Sequence, residues 1–489
     1  MALLRRDGSR EARESPSPAS ARVSRFTPSL SAAVVPVVAT VAAAGLDWLF
    51  IGRKSFWEDE GSSWAFAHGS VSNLTHAVLH VDPNMTLYYG LLHLWLHLGD
   101  SEAAIRSLSA VFATLTVPVV YLLGVRLFSK AAGAVAAIAF AVNSFVVEYA
   151  QEARSYALVT FLVTLSSYFF VCELQRPSRW TRAGYVSATV LAMYAHFFAA
   201  WVLLVQLLTL VLIPPGRRLT REWLGALAAI GVGYLPAAAQ IVRFGHANIA
   251  WIPRPTLRTL VHVSARLSGG HWAVLLVVLA AAAVLGRHAL TRPGNRWQIG
   301  FVLAWLFVPV LLSFMLSFVE TMFYPAYLII SVPAVALVEG AGLAEFAKRS
   351  VGRRTIAGAT LAAVLVLSGL QLHQWYTNAV KEDWRDATRY VLEHERAGDR
   401  VAFYVPHGEN PFDYYVQLSR RSGPAPIDIA RTPRTNGRIW LVRLHVQANN
   451  PVLIRFGRRL AAAGYRLLGT RTFLPARAQL GVSLYARSR

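Results

Sequence analysis

Apolar runs as long as a bilayer is thick decide what this chain folds into. A helix crossing a ~30 Å hydrocarbon core needs about 20 residues, and about 17 at the least. Nine runs of this kind occur, near 30–51, 103–128, 131–148, 155–173, 223–243, 271–286, 298–318, 326–346 and 355–372. A tenth, 183–213, has no Asp, Glu, Lys or Arg in 31 residues. As a single helix it would be roughly 46 Å long, well beyond one crossing.

The basic residues lie in the gaps between these runs, which is the positive-inside pattern of a membrane protein. Residues 173–182 and 214–222 are both Arg-rich, so both belong in the cytoplasm and the run between them crosses twice. Its turn falls at MYAHFFAAW, which puts His196 on the outer side. Residues 127–130, 287–296 and 348–354 also fall inside. Residues 52–102, 148–154, 244–270 and 319–325 fall outside, with everything after 373. The expected fold is an α-helical polytopic membrane protein with about eleven transmembrane helices.

Composition agrees. Only 15% of the 489 residues are charged, against about 25% in soluble domains. The net charge of +22 suggests a nucleic-acid partner, but its distribution in short inter-span gaps argues for topology instead. One cysteine, Cys172, excludes a disulfide framework and a Cys-based metal site. Residues 1–29 are polar and rich in Ser, Pro and Arg, and are expected to form a disordered cytoplasmic tail ahead of the membrane domain at 30–372. Residues 373–489 read differently. RVAFYVP, RIWLVRL and LGVSLYAR have strand composition. EDWRDATRYVLEHERAG and NPVLIRFGRRLAAAGYRLL have helical apolar spacing, with Gly398 and Gly464 as stops. A small extracytoplasmic α/β domain is expected there.

Two charged stretches stand out. FWEDEGSSW, in the long first outer loop, places Glu58, Asp59 and Glu60 just beyond the first span. A carboxylate there suits a general base for a hydroxyl acceptor, with a metal ligand alongside as an open question. VEYAQEARSYAL puts Glu148, Glu152 and Arg154 at the outer end of an apolar hairpin. Ionisable groups at that depth are costly, and are usually functional or paired. Glu152 and Arg154 either tie off the hairpin together, or Arg154 offers its planar fork to a phosphate.

The order of these stretches resembles a family. A first span, FWEDE, DPNMTLYYGLLHLW, GDSEAAIRSLSAVF, EYAQEARSYAL and a His at the turn in MYAHFFAAW are similar to bacterial GT-C glycosyltransferases. These form the protein mannosyltransferase and aminoarabinose transferase superfamily, similar to glycosyltransferase family 39. The likeness covers roughly residues 30–215. It implies a multi-pass protein of the bacterial inner or plasma membrane. Such a protein moves a hexosyl or pentosyl group, as mannosyltransferases do, from a polyprenyl-phosphate donor to a glycan, lipid or protein acceptor outside. By position it implies Asp59 as base with Glu60 beside it. Glu152 and Arg154 then lie near the donor phosphate, and Tyr88, Tyr89, His93 and His196 line the cavity. A divalent cation is left open.

Two positions depart from the family. PNMT (83–86) stands where relatives have paired prolines, and Ala326 stands where many have Arg before Tyr. Arg254 or Arg258 would then have to supply the missing donor contact. Two rival readings remain: a transporter or flippase of lipid-linked sugars, and a silent GT-C scaffold, which Ala326 keeps in play. A transporter would place its polar site at the midplane between repeated halves, and no repeat is visible.

Overall fold

The computed structural model describes residues 30–212, 220–244, 251–378, 381–433, 435–444, 450–473 and 480–487. The tail expected at 1–29 lies outside the described residues. The chain enters with α1 (Leu30–Trp48) and continues into three short helices, α2 (Glu58–Ala67), α3 (Val71–His80) and α4 (Thr86–Trp95). Then come α5 (Glu102–Leu127), the pair α6 (Lys130–Ala141) and α7 (Ser144–Ala150), and α8 (Tyr156–Gln175). The bundle continues through α9 (Arg179–Ala195), α10 (Ala199–Leu212), α11 (Arg221–Phe244) and the amphipathic α12 (Leu257–Leu267). It closes with α13 (Trp272–Thr291), α14 (Arg296–Leu316), α15 (Val332–Ala347) and α16 (Val351–Thr377).

Seven of these helices are long and apolar enough to cross a bilayer, counting the 3-10 segment Pro325–Ser331 with α15, and the α6–α7 pair makes an eighth. That pair bends by 57° where a single run was expected. Asn143 causes the break, because its Oδ1 accepts the Phe145 and Val146 N–H groups and starts a new helix. Its amide also donates to Leu267 O at 3.0 Å, so α7 is fixed against the end of α12. The run expected to cross twice, 183–213, is divided into two helices, α9 and α10, of 17 and 14 residues, turning at His196 to Phe198. α1 and α10 are apolar but shorter, so among the described residues seven or eight helices are long enough to span, against the eleven expected. α15 is the central post, 94% of its apolar window being buried, whereas α11 and α16 are peripheral at 22%.

Beyond α16 the chain builds a small mixed sheet. Its strands are β1 (Arg400–Phe403), β2 (Ala425–Pro426), β3 (Ile439–Leu444), β4 (Tyr465–Phe473) and β5 (Leu480–Arg487), in the order β2-β1-β3-β5-β4. β1 lies parallel to β2 and β3, and β5 is antiparallel to β3 and β4. Three helices accompany it: α17 (Trp384–His394), α18 (Glu409–Leu418) and α19 (Pro451–Ala462). Phe456 and Leu460 of α19 cover one face of the sheet with Ala402, Ile439 and Leu441. Trp384, Ala387 and Val391 of α17 join the main core on the other face with Val401, Trp440 and Val442. Gly464, at φ +79°, ends α19, so GYRLL turns into β4 instead of continuing the expected helix.

α18 seats this region on the bundle. A Cβ on Gly61 of α2 would lie 2.5 Å from Pro411 N, so glycine permits the contact. Tyr414 stacks on Phe56 at 4.4 Å, and the Tyr415 hydroxyl accepts the Phe56 N–H at 2.7 Å.

Candidate active site at the loop end of the bundle

The first turn of α2 carries Glu58, Asp59 and Glu60 at the positive end of its helix dipole. Adjacent residues on a helix diverge by about 100°, and the last two acids accordingly serve different ends. Glu60 is enclosed. Arg106 grips it through two bonds of 2.7 Å, Ala153 N–H donates to it at 2.9 Å, and Lys381 Nζ lies 3.0 Å away. Arg106 in turn donates to the carbonyls of Ile51, Lys54 and Ser55, fixing the exit of the first span. Burial alone would raise Glu60, but Arg106 and Lys381 outweigh it and hold the carboxyl at about 2. The expectation of Glu60 as a second catalytic acid meets a carboxylate already fully used by structure.

Asp59 faces the other way. Its side chain is 40% accessible and Arg154 Nη2 lies 3.5 Å from its Oδ2. The carboxyl is partly open to solvent, with protein packed around the rest of it. That enclosure raises it above the ordinary carboxylate value; Arg154 opposes the rise, and the carboxylates of Asp82, Glu382 and Glu60 add to it. Asp82 accepts from Tyr89 OH at 2.6 Å and from Asn84 N–H at 3.1 Å. Asn84 then reaches the α9–α10 turn, accepting Phe197 N–H at 2.9 Å, with its Nδ2 3.3 Å from His196 Nε2. His196 is buried among Tyr156, Phe198 and Tyr327. Burial and the Arg154 charge push it down to about 3, so it is neutral at neutral pH.

Residues 151–155 form a non-helical turn between α7 and α8. The turn resolves the spacing of Glu152 and Arg154, which find separate partners: Lys381 at 3.4 Å for Glu152, and Asp59 for Arg154. The hairpin is therefore not tied off by a Glu152–Arg154 pair. Burial raises Glu152; Lys381 opposes the rise, and the carboxylates of Glu60, Glu148 and Asp59 add to it. One carboxyl oxygen of Glu152 and the Nε of Arg154 are buried with no hydrogen-bond partner. Two unsatisfied polar atoms of opposite character beside an open carboxylate are what a site awaiting a polar substrate presents.

The other expected residues sort by burial. Tyr89 stands in this network through Asp82. Tyr88 is wholly enclosed, its hydroxyl 3.1 Å from Ser109 Oγ, which itself donates to Arg154 O, so it supports the loop from behind. His93 bonds Ala67 O at 2.8 Å at the end of α2, a packing contact. Arg254 and Arg258 are exposed near the start of α12, and among the described residues neither has an ion-pair partner. Ala326 is 1% exposed and packed into the core. Sequence reasoning passed over Asp82, Arg106, Arg266 (paired with Glu148) and Lys381. DPNM does signal Asp82 as the cap of a 3-10 turn, but nothing local signals Lys381, whose contact with Glu60 spans 321 residues.

Residues 83–242 match the family described as dolichyl-phosphate-mannose-protein mannosyltransferase. Among curated proteins no sequence matches the chain closely enough to count as a relative. The fold is similar to that of ArnT from Cupriavidus metallidurans in the apo state. The TM-score is 0.62 at 15% identity, covering 93% of this chain and 98% of that one. ArnT bound to undecaprenyl phosphate gives 0.59 at 13%, covering 91% and 97%. The oligosaccharyltransferase AglB from Archaeoglobus fulgidus, in complex with an inhibitory peptide and a dolichol-phosphate, gives 0.56 at 11%, covering 94% and 74%. Residues 83–242 thus match that family's model, and over nearly its whole length the chain has a fold similar to that of ArnT and AglB.

Proposed function

We propose that this protein is a glycosyltransferase that takes its sugar from a polyprenyl-phosphate carrier and transfers it to a hydroxyl acceptor on the outer side of a bacterial inner membrane. The observation that carries this reading is the open Asp59 carboxylate set 3.5 Å from the Arg154 guanidinium, at the loop end of the bundle. The polyprenyl phosphates bound to ArnT and AglB support the donor class.

Asp59 takes the proton of the acceptor hydroxyl as the new glycosidic bond forms. The raised position of its carboxyl makes it a better proton acceptor than an ordinary aspartate. The bond between the sugar carbon and the carrier phosphate breaks with its electron pair going to phosphate oxygen. That departing phosphate is stabilised by fixed positive charge and needs no proton. Arg154, with its unused Nε, supplies the charge, and Asp59 gives up its own ion pair as the phosphate arrives. Lys381 keeps Glu152 and Glu60 from crowding the site with unbalanced negative charge. Among the described residues no three His, Cys, Asp or Glu side chains are grouped as a cation's ligands would be, and no step here runs through a metal.

The test is turnover by Asp59→Asn with a polyprenyl-phosphate sugar. A loss of about 10²–10⁴ is expected with donor binding retained. Near-normal turnover would remove Asp59 from the role. Retained binding without any wild-type turnover would favour the scaffold reading.

A further inference from the structure

A polar recess lies where the chain leaving α1 meets the end of α16 and the start of α17. It holds about 240 Å³, and Arg53, Lys54, Tyr376, Lys381 and Arg385 line it, with Asp383 and Asp386 at its rim. Lys381, which pairs with the buried Glu60 and Glu152, forms part of its lining.

Most of its charges are already matched. Arg385 is held by Glu102 at 2.6 Å, Lys381 by Glu60 and Glu152, and Asp386 by Arg389 at 2.7 Å. Asp383 caps α17 by accepting the Asp386 N–H. Arg53 and Lys54 are left: among the described residues neither has a carboxylate at ion-pair distance, although Glu148 and Glu152 act on Lys54 from farther off. Arg53 is exposed and lies 5.6 Å above the Phe50 ring. Lys54 donates to Trp375 O and sits over the Trp375 ring. Burial and the nearby Lys381 and Arg106 charges push Lys54 down to about 7, a position that an anion in the recess would reverse.

The surroundings fix what kind of anion belongs there. Trp48, Leu49 and Phe50 project outward at the end of α1 at 38%, 42% and 53% exposure, and Phe50 meets Tyr376 of α16 edge-on. Aromatic side chains at the ends of spanning helices mark the headgroup level of a bilayer. Basic groups in that layer attract anionic lipid. Apolar chain-contact residues therefore adjoin the exposed Arg53 cation and a lysine whose charged form an anion would favour. We propose that this recess is a binding site for the phosphate headgroup of an anionic phospholipid of the outer leaflet. Arg53 and Lys54 contact the phosphate, and the acyl chains lie along Leu49 and Phe50. The assignment rests on the membrane placement of α1 and α16, and is independent of the role given to Asp59.

The experiment reconstitutes the full chain in nanodiscs of phosphatidylcholine with a minority of phosphatidylglycerol. Native mass spectrometry then counts the lipid retained on the released protein. Wild type should retain phosphatidylglycerol above its share in the disc. Arg53→Gln and Lys54→Gln should each lower that retention about fivefold. Arg53→Gln alters an exposed side chain and leaves the fold intact, and Lys348→Gln at the far end of the bundle should change nothing. Equal retention of the two lipids by wild type, or unchanged phosphatidylglycerol in both variants, would overturn the proposal. Inorganic phosphate, titrated without lipid, probes a free-anion site; binding as tight as that of phosphatidylglycerol would overturn the lipid assignment.

Discussion

At the residue scale, Asp59 and Glu60 show how far one peptide step separates roles. Glu60, held at about 2, lies below the ordinary unfolded value of about 4.3. Its contribution to stability is therefore present above that unfolded value, and is lost as pH falls toward 2. Glu60→Gln leaves Arg106 and Lys381 facing a neutral amide. Breaking such a buried pair costs roughly 3–5 kcal/mol, to be read by thermal melting in detergent. Asp59→Asn should melt near wild type. Arg154 opposes the rise of Asp59, so Arg154→Gln should carry the acid limb of the pH–rate profile upward. A limb that stays put would uncouple the two groups. Arg154→Lys keeps the charge but loses the fork, and should weaken donor binding by about 1.5–3 kcal/mol, seen in donor KM. The sequence made Asp59, Arg154 and Glu152 visible because charges beside spans are costly. It left undecided which acid reaches solvent, since that depends on how α2 is rotated against Arg106.

At the element scale, the long helices were readable because each must match a bilayer's thickness, a constraint local to the run. The bend at Asn143 was not, because it depends on a partner at Leu267. The seam between α2 and α18 was likewise hidden, since it rests on Gly61 meeting Pro411. Gly61→Ala places a methyl 2.5 Å from Pro411 N, so one backbone must move. Overpacking of this kind costs about 1–3 kcal/mol. The expected signature is faster proteolytic release of the C-terminal region together with a lower melting temperature. Unchanged proteolysis would mean that the seam carries little of the docking. Near that seam, Glu382 Oε2 accepts the Glu58 N–H at 3.2 Å, so the α2 N-terminus is capped from the far end of the chain.

At the scale of the whole molecule, the loops expected on one side do converge at one end of the bundle. Glu60 meets Ala153 and Lys381, Asn84 meets the α9–α10 turn, and Trp251 meets Tyr324. In a Cys172→Ser background, Leu98→Cys should react with a membrane-impermeant maleimide from outside. Trp180→Cys should react only after permeabilisation; both positions are 72% exposed. The reverse pattern would invert the topology. The central claim is that the site at Asp59 and Arg154 holds the phosphate of a polyprenyl carrier. Mass spectrometry of lipid extracted from purified wild type and Arg154→Ala tests it most directly. The account predicts a polyprenyl phosphate, with or without its sugar, on the wild type and a marked loss of it in the variant. Wild type carrying only phospholipid, or a polyprenyl phosphate undiminished in Arg154→Ala, would contradict it.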